Sequence, residues 1–381
     1  MDTHAPGTER ARPVATGSIP AQRRSKCPRG PRQARLLLAV VLCQGFVMAA
    51  SAQPAQAQQS LRIVGGLAGV NQYNRHEMPF WTTELPRLSG GRYRADIVPF
   101  DRAGIRGQEM LSMVKLGTVP FGTLLLGQTS PKDLELGAPD LAGLNPDMPA
   151  LRRVATAFRP HLQRILHERH GAELLALYTY PAQVLYCTQP IVGLESIKGR
   201  KVRTSTPSQS DWVQALSGQP IPMPFADIMP SVRSGNIDCA ITGTMSGNTI
   251  GLHELTSHMH TMAISWGLSV FVAHSATWQA LPEELKALLR RELPRVEADV
   301  WDESSRETDE GVACNVGAAS CQSGRRGRMV AVPASADDER RRREILATSV
   351  LPRWLQRCGP GCADLWNRTL APVTGVEARA R

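Results

Sequence analysis

Residues 196–206 read SIKGRKVRTST, with four basic side chains around Gly199 and the last of them, Arg203, followed by Thr204, Ser205 and Thr206. An arginine at the end of a short strand, beside hydroxyls, presents a planar fork of N–H donors. That fork can hold a carboxylate through two parallel bonds, which lysine cannot do. The other role open to Arg203 is an ion pair with a surface acid such as Asp238 or Glu195. A second chemistry is suggested by LHELTSHMH, which holds His253, Glu254, His258 and His260. A zinc protease places two histidines at i and i+4 on one helical face. Here His253 and His258 are five apart and would diverge by about 140° on a helix, so the stretch reads as surface histidines. No G-x-S-x-G elbow and no cysteine-nucleophile motif occurs, so covalent catalysis is not expected. No catalytic residue, no metal and no cofactor is expected.

The start of the chain carries an address. A basic run from Arg23 to Arg35 leads into LLLAVVLCQGFVMAA, Leu36 to Ala50, and then Ala50-Ser51-Ala52 and Ala55-Gln56-Ala57. This is the charged, apolar and small-residue order of a secretory signal peptide, with cleavage near 52 or 57. The apolar run is shorter than the roughly 18 residues that argue a membrane span. Residues 1–57 are therefore read as a signal peptide and the mature protein as secreted. The first 52 residues hold eight Lys or Arg and two Asp or Glu, which is +6 of the formal +10 and leaves about +4. That balance removes the case for nucleic acid as a partner. The run Arg340 to Arg343 follows Asp337-Asp338-Glu339 and reads as a solvated helix face.

Six of the eight cysteines lie beyond the signal region, where disulfides persist. Pairing is expected within the last four, Cys314, Cys321, Cys358 and Cys362, with zinc binding by the C-x6-C and C-x3-C spacings as the alternative. Cys187 and Cys239 sit in strand-like runs and read as buried small apolar residues.

The elements alternate. LRIVGG, YRADIVPF, AELLALYTY, VLYCTQPI, RKVRT and IDCAIT have strand character, while helical spacing covers 76–88, 105–116, 150–169, 282–310 and 336–358. Phe225, Ile228, Met229 and Val232 are helically spaced with Gly235 as a C-cap, but Pro230 requires a late start or a kink there. Strands alternating with helices predict an α/β fold with largely parallel sheets. Loops at the C-terminal edge of such sheets are where ligands bind. That places Asn71, Gln72 and Tyr73 of GVNQYNR as hydrogen-bonding candidates or as a plain capping loop. Thr242 and Met245 follow IDCAIT at another strand end, and Trp266 is either a pocket wall or hinge packing.

The order IKGRKVRT, then PIPMPFADIMPSVRSGNIDCAI, then LPEELKALL resembles the solute-binding proteins of TRAP transporters, the DctP-type family. The resemblance spans most of residues 60–310, and its specific part runs from Lys198 to Ala240. It implies a two-lobed periplasmic binding protein, a hinged trap that captures an organic acid between its lobes. It also implies delivery to a small and a large integral membrane subunit. Lobe I is expected over 58–182 plus about 268–300, and lobe II over 183–267 plus about 301–381. Arg203 takes the family's position for the arginine that grips the substrate carboxylate, and Phe225 that of an aromatic packed on the ligand. The second arginine that many members carry one strand earlier is absent, since Pro181, Ala182 and Gln183 stand there. The expected ligand therefore has one carboxylate on Arg203 and a less charged remainder against Tyr73, Phe225 and Trp266. An enzyme acting on an organic acid and a ligand-sensing receptor subunit are the alternative functions.

Overall fold

A computed structural model describes residues 58–128 and 131–379. The expected signal peptide, residues 1–57, lies outside them, and no helix among them is long and apolar enough to cross a membrane. In chain order the strands are β1 (Gln59–Gly65), β2 (Tyr93–Pro99), β3 (Phe121–Leu125), β4 (Ala172–Tyr178), β5 (Gln183–Cys187), β6 (Lys201–Thr204), β7 (Gln219–Pro222), β8 (Cys239–Gly243), β9 (His258–Ser265), β10 (Ser269–His274) and β11 (Val330–Val332). They form two sheets, one per lobe, in the orders β2-β1-β3-β10-β4 and β11-β9-β5-β8-β6-β7. β1 buries Leu61 and Ile63 and exposes Ser60 and Arg62, the alternation of a half-covered sheet. β8, in the interior of the second sheet, is buried along its whole length.

The sheets are mixed, with parallel pairings in the majority. β1/β2, β1/β3, β6/β7, β6/β8 and β9/β11 run parallel, whereas β3/β10, β4/β10, β5/β8 and β5/β9 run antiparallel. The reason is the route of the chain. It passes from β4 in the first sheet straight to β5 in the second, and returns from β9 to β10 without a crossover helix, so the entering strand runs against its neighbours.

The main helices are α1 (Gly107–Lys115), α2 (Met148–His170), α3 (Pro207–Ala215), α4 (Thr244–Thr249) and α5 (Glu283–Val316). In α2 the Asp147 side chain accepts from Ala150 N, and Gly171 closes the helix with φ 55°, a value that favours glycine. The first helical segment begins at Gln72, four residues before the expected start, and continues to Leu88. The element around Pro230 does start late, at Ile228, which puts the proline in the first turn where its missing N–H is tolerated. The C-terminal helical stretch holds over 336–358 as expected.

The disulfides correct one reading and bear out another. Cys187 and Cys239 are bonded to each other, because antiparallel β5 and β8 set them directly opposite in register. Burial alone could not reveal that pairing. The C-terminal four pair among themselves, as Cys314–Cys321 and Cys358–Cys362.

α5 ties the two sheets together. Its first half buries Leu285, Leu289, Leu293 and Val300 in the core of the first sheet. Further along, Ser304 Oγ donates to Thr179 O and Thr308 Oγ1 accepts from Ala182 N, on either side of the β4–β5 crossing. Its second half packs on α4 at Gly311, where a Cβ would stand 2.4 Å from Met245 N and 2.5 Å from Thr244 C. Between these regions Asn71 Nδ2 donates to Glu307, while Arg75 and His76 contact Glu303. Burial raises the Glu307 pKa to about 7, helped by the charges of Glu303 and Glu310 and opposed by Asn71 and Arg75.

Two outcomes follow from this helix. Gly311→Ala forces a methyl against main-chain atoms that cannot yield locally, and is expected to lower stability by about 2–3 kcal/mol in urea unfolding. An unchanged midpoint would contradict the close packing of α4 on α5. Glu307 holds its proton more tightly folded than unfolded, so its contribution is full below pH 4.5 and is lost as pH rises through about 7. Glu307→Gln, which keeps an acceptor for Asn71, is then expected to match the wild type at pH 4.5. At pH 8 it should exceed it by on the order of 2–3 kcal/mol, with thermal melts at the two pH values as the check.

Candidate functional site

β6 and β8 run parallel, so their C-terminal ends share one edge of the second sheet, and Arg203 stands there as the next-to-last residue of the Lys201–Val202–Arg203–Thr204 strand. The side chain is only 2% exposed. Nε and Nη2 donate to Met223 O at 3.2 Å, and Nη1 donates to Ile241 O at 2.7 Å. These three bonds leave two of the five guanidinium N–H donors unused. No carboxylate among the described residues forms a salt bridge with it. Of the two acids that might have paired with it, Asp238 accepts from Lys201 N and Glu195 pairs with Arg341. Burial lowers the Arg203 pKa to about 10, and the charge of Asp227 only partly opposes this. The residue is therefore a positive charge at neutral pH, held flat by main-chain oxygens and not neutralised.

The turn after β6 is rigid. Thr206 caps α3 by accepting from Gln209 N at 3.2 Å. Gln209 Oε1 accepts from Ser205 N at 2.8 Å, and Gln209 Nε2 donates to Gln183 Oε1 at 2.7 Å and Ser265 Oγ at 2.8 Å. The first sheet's side of the molecule meets this turn closely. A Cβ at Gly127 would lie 2.7 Å from Thr206 Cγ2, and Ala142 N donates to Ser208 Oγ at 3.3 Å. The β9–β10 crossing is clamped by Asp140, which accepts from the N–H groups of Trp266, Gly267 and Leu268. Burial raises the Asp140 pKa to about 6 against the pull of those three donors.

The other residues singled out in the sequence divide into two groups. Thr242 is buried on β8 directly after Ile241, whose carbonyl holds Arg203, and Phe225 is part-buried two residues after Met223, which holds it from the other side. The rest are committed elsewhere. Trp266 is buried with Nε1 donating to Asn145 O. Met245 packs with the Cys314–Cys321 pair. Tyr73 lies under Gly65 with its hydroxyl donating to Ile97 O at 3.4 Å. Asn71 reaches Glu307. Gln72 donates to Glu77 Oε1 at 2.7 Å while its own Oε1 is buried without a partner. His258 and His260 are on β9, where His260 contacts Asp338, and His253 lies a turn earlier beside Asn248. Among the described residues no group of three or more His, Cys, Asp or Glu is placed to hold a metal ion.

Sequence reasoning missed Gln209, Asp140 and Glu77. The first was findable: Thr206-Pro207-Ser208-Gln209 is an N-cap followed by a first-turn proline, which sets position 209 back over the strand end. Asp140 and Glu77 act through contacts far away in sequence. Glu77 is fully buried, accepts from Gly66 N, Gln72 and Thr123, and has its pKa raised by that burial.

With this geometry in hand, known proteins can be set beside the chain. Residues 68–316 match the family model described as bacterial extracellular solute-binding protein, family 7 (DctP). The ectoine-binding periplasmic protein TeaA of Halomonas elongata is 25% identical over 126 residues, which is 33% of this chain and 37% of that protein. Among solved structures, DctP7 of Bordetella pertussis, an extracytoplasmic solute receptor binding pyroglutamic acid, superposes with a TM-score of 0.73 at 18% identity. That match covers 82% of this chain and 99% of the other. A TRAP periplasmic solute-binding protein of Shewanella oneidensis with bound succinate gives 0.70 at 16% identity, over 83% and 99%. The chain belongs to the bacterial extracellular solute-binding protein family 7, the DctP-type receptors of TRAP transporters.

Proposed function

We propose that this protein works in the periplasm and captures a small monocarboxylate between its two lobes. It delivers that ligand to the small and large membrane subunits of a TRAP transporter, by binding alone and without chemistry. The observation that carries this reading is Arg203, a buried guanidinium with two unused donors and no salt-bridge partner among the described residues. A ligand carboxylate would meet both free donors at once and supply the missing charge. In a site that excludes water such a charge-assisted pair is much stronger than at a surface. Thr242 and Phe225 flank the carboxylate. The lobes divide at the two strand crossings, near 182/183 and 267/268. The segment from 336 to 358 leans on both, since Trp354 Nε1 donates to Leu134 O and Arg357 pairs with Asp211 of α3. Pyroglutamic acid and succinate on the structural relatives support an acid as ligand.

A thermal-shift screen of residues 58–381 against mono- and dicarboxylates tests the anchor. A ligand at about 100 times its Kd adds roughly 2.7 kcal/mol of stability, and the shift is expected to vanish in Arg203→Ala. A shift that survives in the variant would remove Arg203 from the role. In isothermal titration, monocarboxylates are expected to bind at least as tightly as short dicarboxylates of equal length. Much tighter dicarboxylate binding would show that the far end of the cleft carries a cation this reading lacks.

A further inference from the structure

Two helices near the end of the chain, α6 (Leu351–Cys358) and α7 (Cys362–Thr369), are joined by Gly359-Pro360-Gly361 and by the Cys358–Cys362 disulfide. Both glycines of the turn have positive φ, +88° and +86°, and a Cβ at either would meet nothing within 4 Å. The turn therefore faces open space. Cys358 is part-buried beside it, whereas the sulfurs of the other two disulfides are enclosed: Cys187, Cys239 and Cys314 are fully buried and Cys321 nearly so. Main chain covers Cys314 as well, since a Cβ at Gly324 would stand 2.7 Å from its Sγ. Of the six bonded sulfurs, that of Cys358 is the one open to an attacking thiolate.

Loop length ranks the three bonds in the same way. The bonded cysteines are 52, 7 and 4 residues apart, and the stability gained by closing a loop falls with its length. The Cys358–Cys362 bond is thus the one that chain entropy protects least. Its two ends also differ. Cys358 ends α6, while Cys362 is the first residue of α7 and is buried there. A thiolate released at a helix start meets free N–H groups and the positive end of the helix, which stabilise it. Exchange is faster when the departing thiolate is the more stable one, so attack on Cys358 with departure of Cys362 is favoured by exposure and by leaving group together.

The helix that ends in Cys358 grips α3. Arg357 Nη1 donates to Asp211 Oδ1 at 3.0 Å and its Nη2 donates to Oδ2, while Arg353 Nη1 donates to Gln214 Oε1 at 2.7 Å. Asp211 is buried, so its charge depends on those cations staying in place. On the same helix Trp354 Nε1 donates to Leu134 O at 3.0 Å, and its ring lies 5.7 Å from that of Trp366 in α7. The disulfide closes the end of this grip one residue from Arg357.

We infer that Cys358–Cys362 is a thiol–disulfide exchange site for a dithiol reductant, and that opening it loosens the hold of α6 on α3. One thiolate of the dithiol attacks Cys358 Sγ, the Cys358–Cys362 bond breaks, and Cys362 leaves with the electron pair and takes up a proton. The second thiolate of the dithiol then attacks the reductant's own sulfur in the mixed disulfide and releases Cys358, which is protonated in turn. Two electrons and two protons reach the protein, and the dithiol becomes a disulfide.

A graded dithiothreitol series on folded residues 58–381, quenched with iodoacetamide and read by peptide mass spectrometry, tests the site without any variant. Cys358 and Cys362 are expected to reach half-alkylation at a dithiothreitol concentration about tenfold lower than the other four cysteines. In protein opened only there, amide hydrogen exchange should rise about tenfold over 207–215 and 351–362 and stay unchanged in β5 and β8. The double variant Cys358→Ser, Cys362→Ser should show the same pattern with no reductant, and Arg357→Gln should raise exchange over 207–215 with the disulfide intact. Alkylation of another pair first or at the same concentration would overturn the exchange site. Unchanged exchange over 207–215 after selective opening, or in Arg357→Gln, would overturn the coupling to α3.

Discussion

A guanidinium that is almost sealed from water and whose hydrogen bonds among the described residues go to main-chain carbonyl oxygens keeps its charge at a price in solvation that those bonds do not recover in full. Much of the second sheet serves to hold that charge in place. β6 carries Arg203, β8 offers the Ile241 carbonyl, and the segment after β7 offers Met223, so three neighbouring strands fix one planar group. The orientation exists before any ligand arrives. A carboxylate entering the site would face donors already aligned, and little ordering would remain to oppose binding.

The same constraint explains the two strand crossings. Ligand capture between lobes needs a connection that bends without losing register, and direct strand passages meet that need with short, well-bonded segments. Asp140 collects three consecutive N–H groups at the β9–β10 crossing. Ser304 and Thr308 of α5 bond main-chain groups on either side of the β4–β5 crossing. Glycine is required where these pieces touch: Gly311 lets α5 lie on α4, and Gly267 leaves space above Gln183. Antiparallel neighbours appear at these crossings because a strand that arrives from the other lobe enters its sheet from the opposite end.

Family membership accounts for the fold and for the class of protein. Gln209 accepts from Ser205 N, two residues beyond Arg203, and donates to Gln183 at the start of β5. The Cys187–Cys239 bond joins β5 to β8 where the two strands lie in register.

Much of this could be read from the sequence because it is local. The alternation of strands and helices, the helix capped by Asp147 and Gly171, the late start imposed by Pro230 and the strand-end position of Arg203 depend on residues within a few positions of one another. The pairing within the last four cysteines was legible for the same reason. What the tertiary structure alone decided involves partners distant in the chain. The pairing of Cys187 with Cys239 needs the register of two strands 52 residues apart. The burial of Arg203 without an acid depends on where Asp238 and Glu195 end up. Asn71 caps the first helical segment, Tyr73 lies in that segment, Met245 in α4 and Trp266 just after β9, and packing turned them toward Glu307, Ile97, a disulfide and Asn145. A side chain's element can be inferred from periodicity; the direction it faces is settled only when the sheets and α5 close around it.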